Sequence, residues 1–372
     1  MSYQALGIIT SEANYIRVEG MQDYRPIGAF SFLGRYRVID FPISNMSNSG
    51  IDRVHIYVNS KPRSIAEHIG SGRHYNINSK RGKLQLLFTE NNDPNSIYNN
   101  DIAAFTENIE LIERANREYV VIAPSYMVYR ENYKQLLKTH VESGADITLL
   151  YHKVDNAKSA FLNSHVLNLN HQKGVVSIDR NLGNTKEKNI FMDTYVMTRE
   201  KFLEMIKKAK SESSMYTLAD IVSDECKEFD VRGVPHKGYF AAITTLRDYY
   251  QANMDLLDID TARNLCNADW PIYTRTTDTC PVQYFDGSTA RNSLISNGCM
   301  IEGTVENSVL GRSVKVKKGA VIRNSIVLAY TEIGEDCQLD NVVVDKWVQI
   351  KHANKISGSP EAPAYVKRND KL

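Results

Sequence analysis

The feature that most restricts the fold of this chain is a repeat that begins near Asn292. From there an apolar residue recurs at about every sixth position, and glycines and asparagines fill the turns. The apolar pairs with this spacing are Ile295 and Ile301, Val316 and Ile322, and Ile333 and Leu339. A period of six is typical of a parallel β-helix, in which three short strands form each coil. The sequence therefore predicts a β-helix domain over residues 292–372, and an irregular β-meander is the alternative.

Residues 1–255 have a different pattern, in which short apolar runs alternate with amphipathic stretches. The predicted strands are 5–10, 53–59, 119–124 and 146–152, and the predicted helices are 65–69, 104–118 and 132–144. Alternation of this kind predicts an α/β domain with a mostly parallel, Rossmann-like sheet. Residues 256–291, which contain Pro271 and Pro281, are predicted to connect the two domains.

The composition excludes several classes of function. A net charge of +1 gives no general reason to expect a nucleic-acid partner or an anionic membrane surface. No apolar run is long enough to span a membrane, and the start MSYQALGIIT lacks the features of a signal peptide. The five cysteines are scattered without metal-site spacing, which favours reduced thiols in a cytoplasmic protein over a zinc site.

The segment after the first predicted strand lacks the usual phosphate-binding pattern. Nucleotide-binding α/β domains place glycines there, so that backbone N–H groups can approach phosphate closely. Here the first glycine after Gly7 is Gly20. Ser11, Asn14 and Arg17 remain as possible anion contacts, with a solvated loop as the alternative.

The segment that follows, residues 24–54, is basic and contains Arg25, Arg35 and Arg37 among aromatic and apolar residues. The planar guanidinium group matches phosphate oxygens, so three of them are suited to a sugar phosphate or another anion. Surface arginines whose stems pack on apolar neighbours are the alternative. The composition of this segment alone favours the surface arginines.

Three motifs connect these patterns to a known family. The segments are RYRVIDFPISNMSNSGI (35–51), EHIGSG (67–72) and LRDYYQANMDLLDID (246–260). They resemble the motifs of the glucose-1-phosphate adenylyltransferases, or ADP-glucose pyrophosphorylases. The resemblance implies a nucleotidyltransferase α/β domain followed by a left-handed β-helix. It also implies the reaction of ATP with glucose 1-phosphate to give ADP-glucose and pyrophosphate.

The resemblance fails at the positions that carry the family's chemistry. The family binds Mg²⁺ through two aspartates and contacts phosphate through a glycine-rich loop and a lysine. On this sequence the lysine corresponds to Ile27, and the two metal-binding aspartates correspond to Tyr126, which follows Ser125, and to Ala242. A nucleotide-contacting Gly-Thr corresponds to Asn100 and Asp101, and a sugar-pocket glycine corresponds to Asp193. We expect Tyr126 and Tyr129 to fill the former metal pocket.

The combination of retained and lost motifs resembles the non-catalytic second subunit of ADP-glucose pyrophosphorylases in Gram-positive bacteria. That resemblance implies an allosteric, regulatory subunit of glycogen biosynthesis in a hetero-tetramer with a catalytic paralogue, with self-association also possible. It further implies that this chain binds no cofactor or metal and that Mg²⁺ belongs to the catalytic partner. Whether the chain is an enzyme at all remains open at this point.

Two alternatives have an enzymatic function. The first is a weakly active nucleotidyltransferase with an atypical site, for which Asp101 and Asp193 are the obvious acids. The second is an acyltransferase that uses the β-helix, which requires a catalytic histidine between coils. Only His352, near the end of the repeat, is available there.

The family resemblance also predicts an effector site. In regulated members, arginines in this region and the loop after the second strand bind phosphorylated effectors. The corresponding and neighbouring residues here are Arg25, Arg35, Arg37, Asn59, Lys61 and Arg63. A further basic stretch, residues 72–83, borders the active site in the family. Solvated charge is the alternative for both sets.

Overall fold

The computed structural model describes residues 4–77, 80, 82–89, 95–351 and 354–372, except for the side chain of Ser96. Contacts group these residues into two compact units. The first, which we call the α/β unit, comprises the residues up to Ile16, Phe41–Ala242 and Trp270–Tyr273. The second, which we call the coil unit, comprises Arg17–Asp40, Ile243–Asp269 and Thr274–Leu372. His352 and Arg81 lie outside the described residues.

The first 242 residues contain strands β1 to β13 and helices α1 to α7. The elements are β1 (Ala5–Thr10), β2 (Ser31–Phe32), β3 (Tyr36–Arg37), α1 (Asp40–Asn48), β4 (Arg53–Val58), α2 (Arg63–Ile69), β5 (Lys83–Phe88), α3 (Asp101–Glu107), α4 (Ile109–Glu113), β6 (Tyr119–Pro124), β7 (Met127–Tyr129), α5 (Tyr133–Ser143), β8 (Ile147–Val154), β9 (His165–Leu169), β10 (Val175–Arg180), β11 (Lys188–Thr198), α6 (Arg199–Glu212), α7 (Leu218–Asp224), β12 (Val231–Pro235) and β13 (Phe240–Ala242). Short 3-10 turns lie at Met21–Asp23, Ile27–Ala29, Arg73–Tyr75, Ser96–Tyr98 and Glu225–Lys227.

The main sheet of the α/β unit is mixed, with a parallel half. Its strand order is β10-β9-β11-β6-β1-β4-β5, and β8 pairs with both β11 and β12. Strands β6, β1, β4 and β5 are parallel, whereas β11 runs antiparallel to β6. The predicted α/β fold is confirmed, and β1 and β6 have the predicted bounds. The carboxyl ends of the parallel strands therefore meet at one edge.

The predicted helix over 104–118 is wrong in its continuity and in its end. Two short helices, α3 and α4, meet at Asn108, and α4 ends at Glu113. The Asn108 side chain donates to the carbonyl oxygen of Ala104 at 3.0 Å, and this contact with the last turn of α3 interrupts the helix. The predicted end of α5 is confirmed, because Gly144 has the left-handed φ of 67° that follows many helices.

The core of the α/β unit lies between the sheet and helices α3, α4, α6 and α7. Phe105 of α3 and Phe202 of α6 are fully buried there, with ring centroids 5.1 Å apart in an edge-to-face arrangement. Leu6 and Val120 of the neighbouring strands β1 and β6 contribute to the same cluster. The cluster also includes Tyr57 and Ile122, near the carboxyl ends of β4 and β6, so the core extends to that edge of the sheet.

Besides β2 and β3, the described part of the coil unit contains two helices and a series of short strands. These elements are α8 (Leu246–Asp255), α9 (Ile259–Leu265), β14 (Gln283–Tyr284), β15 (Thr289–Arg291), β16 (Leu294–Ile295), β17 (Met300–Ile301), β18 (Thr304–Glu306), β19 (Val309–Leu310), β20 (Lys315–Val316), β21 (Val321–Arg323), β22 (Ile326–Val327), β23 (Glu332–Ile333), β24 (Gln338–Asp340), β25 (Val342–Val344), β26 (Gln349–Ile350), β27 (Lys355–Ser357) and β28 (Ala364–Val366).

Strands β14 to β28 form three parallel sheets of five strands each, and every third strand belongs to the same sheet. Ile301, Val316, Ile333 and Ile350 are consecutive members of one sheet and are buried in the interior. The predicted β-helix is confirmed. Its first strands, β14 and β15, already lie in the segment that was predicted to be a connector.

Asparagines form a ladder at one corner of the coils. Asn292, Asn307, Asn324 and Asn341 all have left-handed φ values between 43° and 55°. Asparagine tolerates this backbone conformation better than most residues. The side chain of Asn292 donates to Asn307 at 2.9 Å, and Asn324 donates to Asp340 at 2.9 Å.

The compact units are discontinuous in sequence. Residues 17–40 and 243–269 contact the coils more than the α/β sheet, although they precede the repeat. One such contact is the hydroxyl of Tyr250 in α8, which donates to the carbonyl oxygen of Asn324 at 2.7 Å. The linear domain boundaries at 255 and 291 stay predictions.

Candidate functional site

A cavity of about 380 Å³ lies at the carboxyl edge of the parallel strands in the α/β unit. Its wall is formed by residues that follow β1, β4 and β6, by the first residues of α3 and α7, and by part of β11. Residues from these elements are Ser11, Tyr57, Asn59, Asp101, Tyr126, Asp193, Leu218 and Asp220. Open α/β sheets place their ligands beyond this edge, so the cavity is the candidate site.

The loop after β1 is held by side chains. The Ser11 hydroxyl donates to the carbonyl oxygen of Tyr57 at 2.8 Å and accepts from the backbone N–H of Asn59 at 3.3 Å. The Asn14 side chain donates to the carbonyl oxygen of Asn99 at 3.0 Å. Ser11 and Asn14, the two possible anion contacts in this loop, thus fix its position in the structure. Arg17, the third, belongs to the coil unit.

Tyr126 follows β6 at the position where the family resemblance placed a metal-binding aspartate. Its side chain is buried, lines the cavity and donates a hydrogen bond to the carboxylate of Asp193. The other carboxylate oxygen of Asp193 lies 3.0 Å from Nδ1 of His165. A hydrogen-bonded chain of Tyr126, Asp193 and His165 therefore occupies the place where the family resemblance implies a metal-binding aspartate.

The backbone at Asp193 explains how its side chain reaches the cavity. The pairing of β11 with β8 shifts between Phe191 and Thr194, which indicates a bulge. Asp193, within the bulge, has a φ of 42°, in the left-handed region that favours glycine. The backbone conformation at this position suits the glycine that the family resemblance implies. The residue here is nevertheless an aspartate.

Asn100 and Asp101 begin helix α3. The Asn100 side chain accepts from the backbone N–H of Ala103 at 2.9 Å, as an N-cap does. Asp101 accepts from the backbone N–H of Ile102 at 2.8 Å and, with both oxygens, from that of Leu218 at 3.2 Å. Burial nevertheless raises the pKa of Asp101 to about 7, and the charges of Asp193 and Asp220 add to the shift.

The cavity is acidic. Glu12, Asp101, Asp193 and Asp220 line it, against Arg180 and His165 as the basic residues among the described lining residues. Burial raises the pKa of Tyr126 and of Tyr195, and the negative charge of Asp193 raises both further. A phosphate group would meet this negative field rather than the positive field that phosphoryl chemistry requires.

The two positions at which the family resemblance implies magnesium-binding aspartates, Tyr126 and Ala242, carry no acid. Within the described parts of the chain, no group of three or more His, Cys, Asp or Glu side chains is arranged to hold a metal. Ala242 pairs with Met127 between β13 and β7 and is buried. Ser125 is buried and its N–H donates to Thr10 at 2.9 Å. The expectation that this chain binds no cofactor or metal stays a prediction.

Ile27 and Tyr129, two residues from the family resemblance, are not among the residues that line the cavity. Ile27, at the position of the family's lysine, is fully buried in the coil unit. Tyr129 is fully buried, with its hydroxyl 3.0 Å from that of Tyr133 and 2.8 Å from that of Thr194. Tyr129 is not among the residues that line the cavity, whereas Tyr126 is.

The coil unit contains a buried ion pair that involves one predicted effector residue. Arg25 donates to the carboxylate of Asp345 at 2.7 Å, and both side chains are almost fully buried. The hydroxyl of Tyr365 donates to the other oxygen of Asp345 at 2.7 Å. The charge of Arg25 is therefore balanced within the unit, and its guanidinium is positioned by Asp345.

Lys346 and Arg368 form a basic cluster with Arg25 and Arg37, and we call these four residues the basic cluster. Burial lowers the pKa of Lys346 to about 7, and the charges of Arg37, Arg25 and Arg368 lower it further. The Arg368 guanidinium lies 4.5 Å from the ring centre of Trp347. The sequence pattern did not single out Lys346 and Arg368, because neither occupies one of the inward-facing apolar positions that define the repeat.

The six predicted effector residues divide between the units. Arg35 is exposed in the coil unit, with its guanidinium 5.7 Å from the ring centre of Tyr36. Asn59 lines the cavity of the α/β unit, where Lys61 and Arg63 are exposed. Arg63 forms an ion pair with Glu67 at 2.7 Å. The assignment of these residues to an effector stays a prediction.

Helices of the described residues offer no candidate for a membrane span, since none combines the required length with sufficient apolar character. The five cysteines, all within the described residues, form no disulfide. The acyltransferase alternative depends on His352, which lies outside the described residues.

Family models match most of the chain. Residues 24–259 match the model described as nucleotidyl transferase, and residues 283–365 match the model described as GlmU-like, C-terminal hexapeptide. The second match agrees with the three-sided coils described above, and the predicted fold class, including the left-handed β-helix, is confirmed. The two matches follow one another in the order that the sequence patterns predict.

Curated relatives extend over most of the chain. The glycogen biosynthesis protein GlgD of Geobacillus stearothermophilus is 32% identical, covering 87% of this chain and 84% of that protein. The glucose-1-phosphate adenylyltransferase of Clostridium botulinum strain Alaska E43 is 33% identical, covering 80% and 78%. GlgD of Bacillus subtilis strain 168 is 28% identical, covering 98% and 96%. This chain therefore belongs to the nucleotidyl transferase family, among the relatives of glucose-1-phosphate adenylyltransferase and GlgD.

Proposed function

We propose that this chain is a non-catalytic, regulatory subunit of ADP-glucose pyrophosphorylase in glycogen biosynthesis. The observation that carries the proposal is the side chain of Tyr126, which lines the cavity and is hydrogen-bonded to Asp193. The family resemblance requires a metal-binding aspartate at that position. The names of the relatives, which include both GlgD and glucose-1-phosphate adenylyltransferase, support a role in the same process.

The electrostatics of the cavity support the absence of catalysis. Transfer of an adenylyl group to a sugar phosphate brings two anions together and requires their charge to be neutralised in the transition state. In the cavity, four carboxylates stand against Arg180 and His165 among the described lining residues. Ile27 replaces the family's lysine by an apolar, buried side chain. The chain accordingly binds no Mg²⁺ of its own for catalysis, and that ion belongs to the partner.

A regulatory role requires a catalytic partner. The partner is a paralogue that makes ADP-glucose and pyrophosphate from ATP and glucose 1-phosphate, and the two chains form a hetero-tetramer. This chain changes the activity of the partner by contacting its active and inactive states differently. Self-association of the chain is a further possibility within this proposal. Five cysteines without a disulfide among the described residues are compatible with a reducing, cytoplasmic location.

The basic cluster supports a phosphorylated effector as the signal. Arg37, Lys346 and Arg368 place positive charge close together, and their repulsion contributes to the lowered pKa of Lys346. An anion that binds there relieves this repulsion and returns a proton to Lys346. Arg25 positions the cluster through Asp345 and is not itself expected to contact the effector.

A weakly active nucleotidyltransferase is the second candidate, because Asp101 and Asp193 line the same cavity. Both carboxylates are already engaged, Asp101 by backbone N–H groups and Asp193 by Tyr126 and His165. A metal would have to displace these partners. We therefore prefer the non-catalytic role.

The proposal is tested by purifying the catalytic paralogue alone and together with this chain. We expect the two chains to co-purify and the ATP or glucose 1-phosphate kinetics of the paralogue to change on association. An equal amount of this chain after heat denaturation serves as the control. Failure of the chains to associate, together with unchanged kinetics, would contradict the regulatory role.

A further inference from the structure

The coils of the coil unit begin at an end that remains open to solvent. Strands β14, β15 and β16 are each the first strand of a sheet, and each pairs with one neighbouring strand among the described residues. Tyr284 in β14 and Ala290 in β15 are exposed, whereas Ile301 and Val305, their counterparts in the next coil, are fully buried. The inward positions of the first coil are therefore left uncovered.

The hydrogen bonds of β15 identify the backbone groups that this end leaves free. The N–H of Thr289 donates to the carbonyl oxygen of Gly303 at 3.1 Å, and the carbonyl oxygen of Arg291 accepts from the N–H of Asn307 at 3.1 Å. Both residues thus bond to the coil that follows. Backbone groups alternate in direction along a strand. The N–H and C=O of Ala290 therefore point the other way, where no described strand pairs with β15.

Exposed apolar side chains lie at the same end. Tyr284, Phe285 and Leu294 are 57%, 42% and 39% exposed. Natural proteins usually cover or block an edge strand of this kind, because its free backbone groups pair readily with another chain. Large apolar side chains grouped on a surface also mark sites of protein association. The open end is therefore suited to a protein partner that supplies a strand.

The other end of the coils is different. There the N–H of Gln349 in β26 donates to the carbonyl oxygen of Asp370 at 2.9 Å, and that of Lys351 donates to Leu372 at 2.7 Å. The last residues of the chain thus occupy one of the three sheet edges. Head-to-tail stacking of two chains would have to displace them, and it would also continue without limit. A contact between two open ends avoids both problems, because a two-fold axis closes the assembly.

We propose that the open end binds the open end of a second copy of this chain. Strand β15 pairs antiparallel with β15 of the second copy about a two-fold axis at Ala290. In that arrangement the N–H of Ala290 in each copy donates to the carbonyl oxygen of Ala290 in the other, which uses the groups that the fold leaves free.

The segment that enters the first coil determines where the contact is centred. The carbonyl oxygen of Cys280 accepts from the N–H of Gly298 at 2.6 Å. This segment therefore occupies the corner between β16 and β17, opposite β15, and the closest approach of the two copies is at β15. The contact gives a surface to the self-association named above, and it requires neither a catalytic partner nor an effector.

The test begins with the mass of the full chain alone, measured by light scattering after size exclusion. We expect a mass of two chains, or a multiple of two, at about 50 μM. A monomer at that concentration would overturn the inference, even if the chain still changed the kinetics of the catalytic paralogue. Failure of this inference is thus distinguishable from failure of the regulatory role.

Two variants then locate the contact. Ala290→Pro removes an N–H that faces the second copy and no hydrogen bond within the coils, and an edge strand tolerates proline at such a position. Tyr284→Lys places a charge in the contact. We expect each variant to halve the mass, through association at least about tenfold weaker. Tyr330→Lys, at a tyrosine of the same unit that is 51% exposed and lies outside the first coil, is the matched control and leaves the mass unchanged.

Hydrogen exchange provides a second measurement on the unmodified chain. The peptide that contains Ala290 should exchange more slowly at a concentration that favours the dimer than after dilution to the monomer. Thermal denaturation verifies that each variant is folded. If the folded Ala290→Pro and Tyr284→Lys variants keep the mass of the unmodified chain, the contact lies elsewhere and the inference is wrong.

Discussion

The cavity of the α/β unit and the basic cluster of the coil unit have opposite electrostatic character. In the cavity, burial and neighbouring carboxylates raise the pKa of Asp101 to about 7. In the basic cluster, burial and neighbouring arginines lower the pKa of Lys346 to about 7. One site stabilises added positive charge and the other stabilises added negative charge. We therefore propose that an anion binds at the basic cluster of the coil unit rather than in the cavity of the α/β unit.

The difference also shows that the fold and the chemistry are separable. Strand β6 is buried throughout and pairs with β1 along its whole length, as an α/β sheet requires. The residues directly after it, Ser125 and Tyr126, place no acid in the cavity. Packing determines the strand, whereas function depends on a few side chains beyond its end.

The largest expected effect concerns the buried ion pair of the coil unit. Arg25→Ala leaves Asp345 buried without its cationic partner, and we expect the free energy of unfolding to fall by about 3–5 kcal/mol. Arg63→Ala breaks an exposed pair with Glu67 in the α/β unit, and its effect on the free energy of unfolding should be much smaller, because solvent screens the pair. Chemical denaturation of both variants measures the difference. Equal losses would show that burial does not distinguish the two pairs.

The second prediction concerns the pH dependence of stability from the cavity. Asp101 has a folded pKa raised from 3.8 to about 7, so between these values the native state binds more protons than the unfolded state. Its contribution to stability is present below about pH 4 and is lost as the pH rises through 7, with a slope of at most about 1.4 kcal/mol per pH unit. In Asp101→Asn, denaturation curves between pH 4 and 7 should lose this dependence. Asp155→Asn should retain it.

The third prediction tests the basic cluster with sulfate, whose charge is constant between pH 6 and 8. The pKa of Lys346 is lowered to about 7 by burial and by the positive charges of Arg37, Arg25 and Arg368, and the negative charge of Asp345 opposes this shift. Sulfate affinity should therefore fall severalfold from pH 6 to 8. Lys346→Gln should bind about tenfold more weakly at pH 6 and show little pH dependence. Titration of Lys351→Gln, an exposed lysine of the same unit, provides the control.

The smallest expected effect is that of restoring the family's two aspartates. Tyr126→Asp combined with Ala242→Asp should yield no measurable pyrophosphate release, because Ile27 and the loop after β1 still provide no positive charge or glycine-rich backbone for phosphate. The assay is run with Mg²⁺, ATP and glucose 1-phosphate. Substantial activity would show that the loop and the lysine matter less than the electrostatic argument requires.

The sequence predicted the parts of the structure that periodic patterns encode. The bounds of β1 and β6 follow from uninterrupted apolar runs, and the coils follow from inward residues such as Val316 and Ile322. The break at Asn108 was not predicted, because one side-chain contact with Ala104 produces it. Local patterns describe local packing, and they contain little information about single capping contacts.

The two sites were predicted only in part, for a related reason. The resemblance identified Tyr126 and Asp193, but it gave no reason to expect that they bond to each other. Tyr57 and Asp220 join them from β4 and α7, far away in the sequence. Lys346 and Arg368 occupy positions of the coil unit that have no periodic signal. The sequence pattern does not show which single polar residues, distant along the chain, come together in the folded protein.

The most direct test of the central claim is a pyrophosphate-release assay of the purified chain alone, with saturating ATP, glucose 1-phosphate and Mg²⁺. The catalytic paralogue at the same concentration is the positive control. The absence of a magnesium-binding carboxylate at Tyr126 and the acidic cavity predict no release above background. Turnover comparable to that of the paralogue would contradict the account, because the cavity would then perform the chemistry that its residues are expected to prevent.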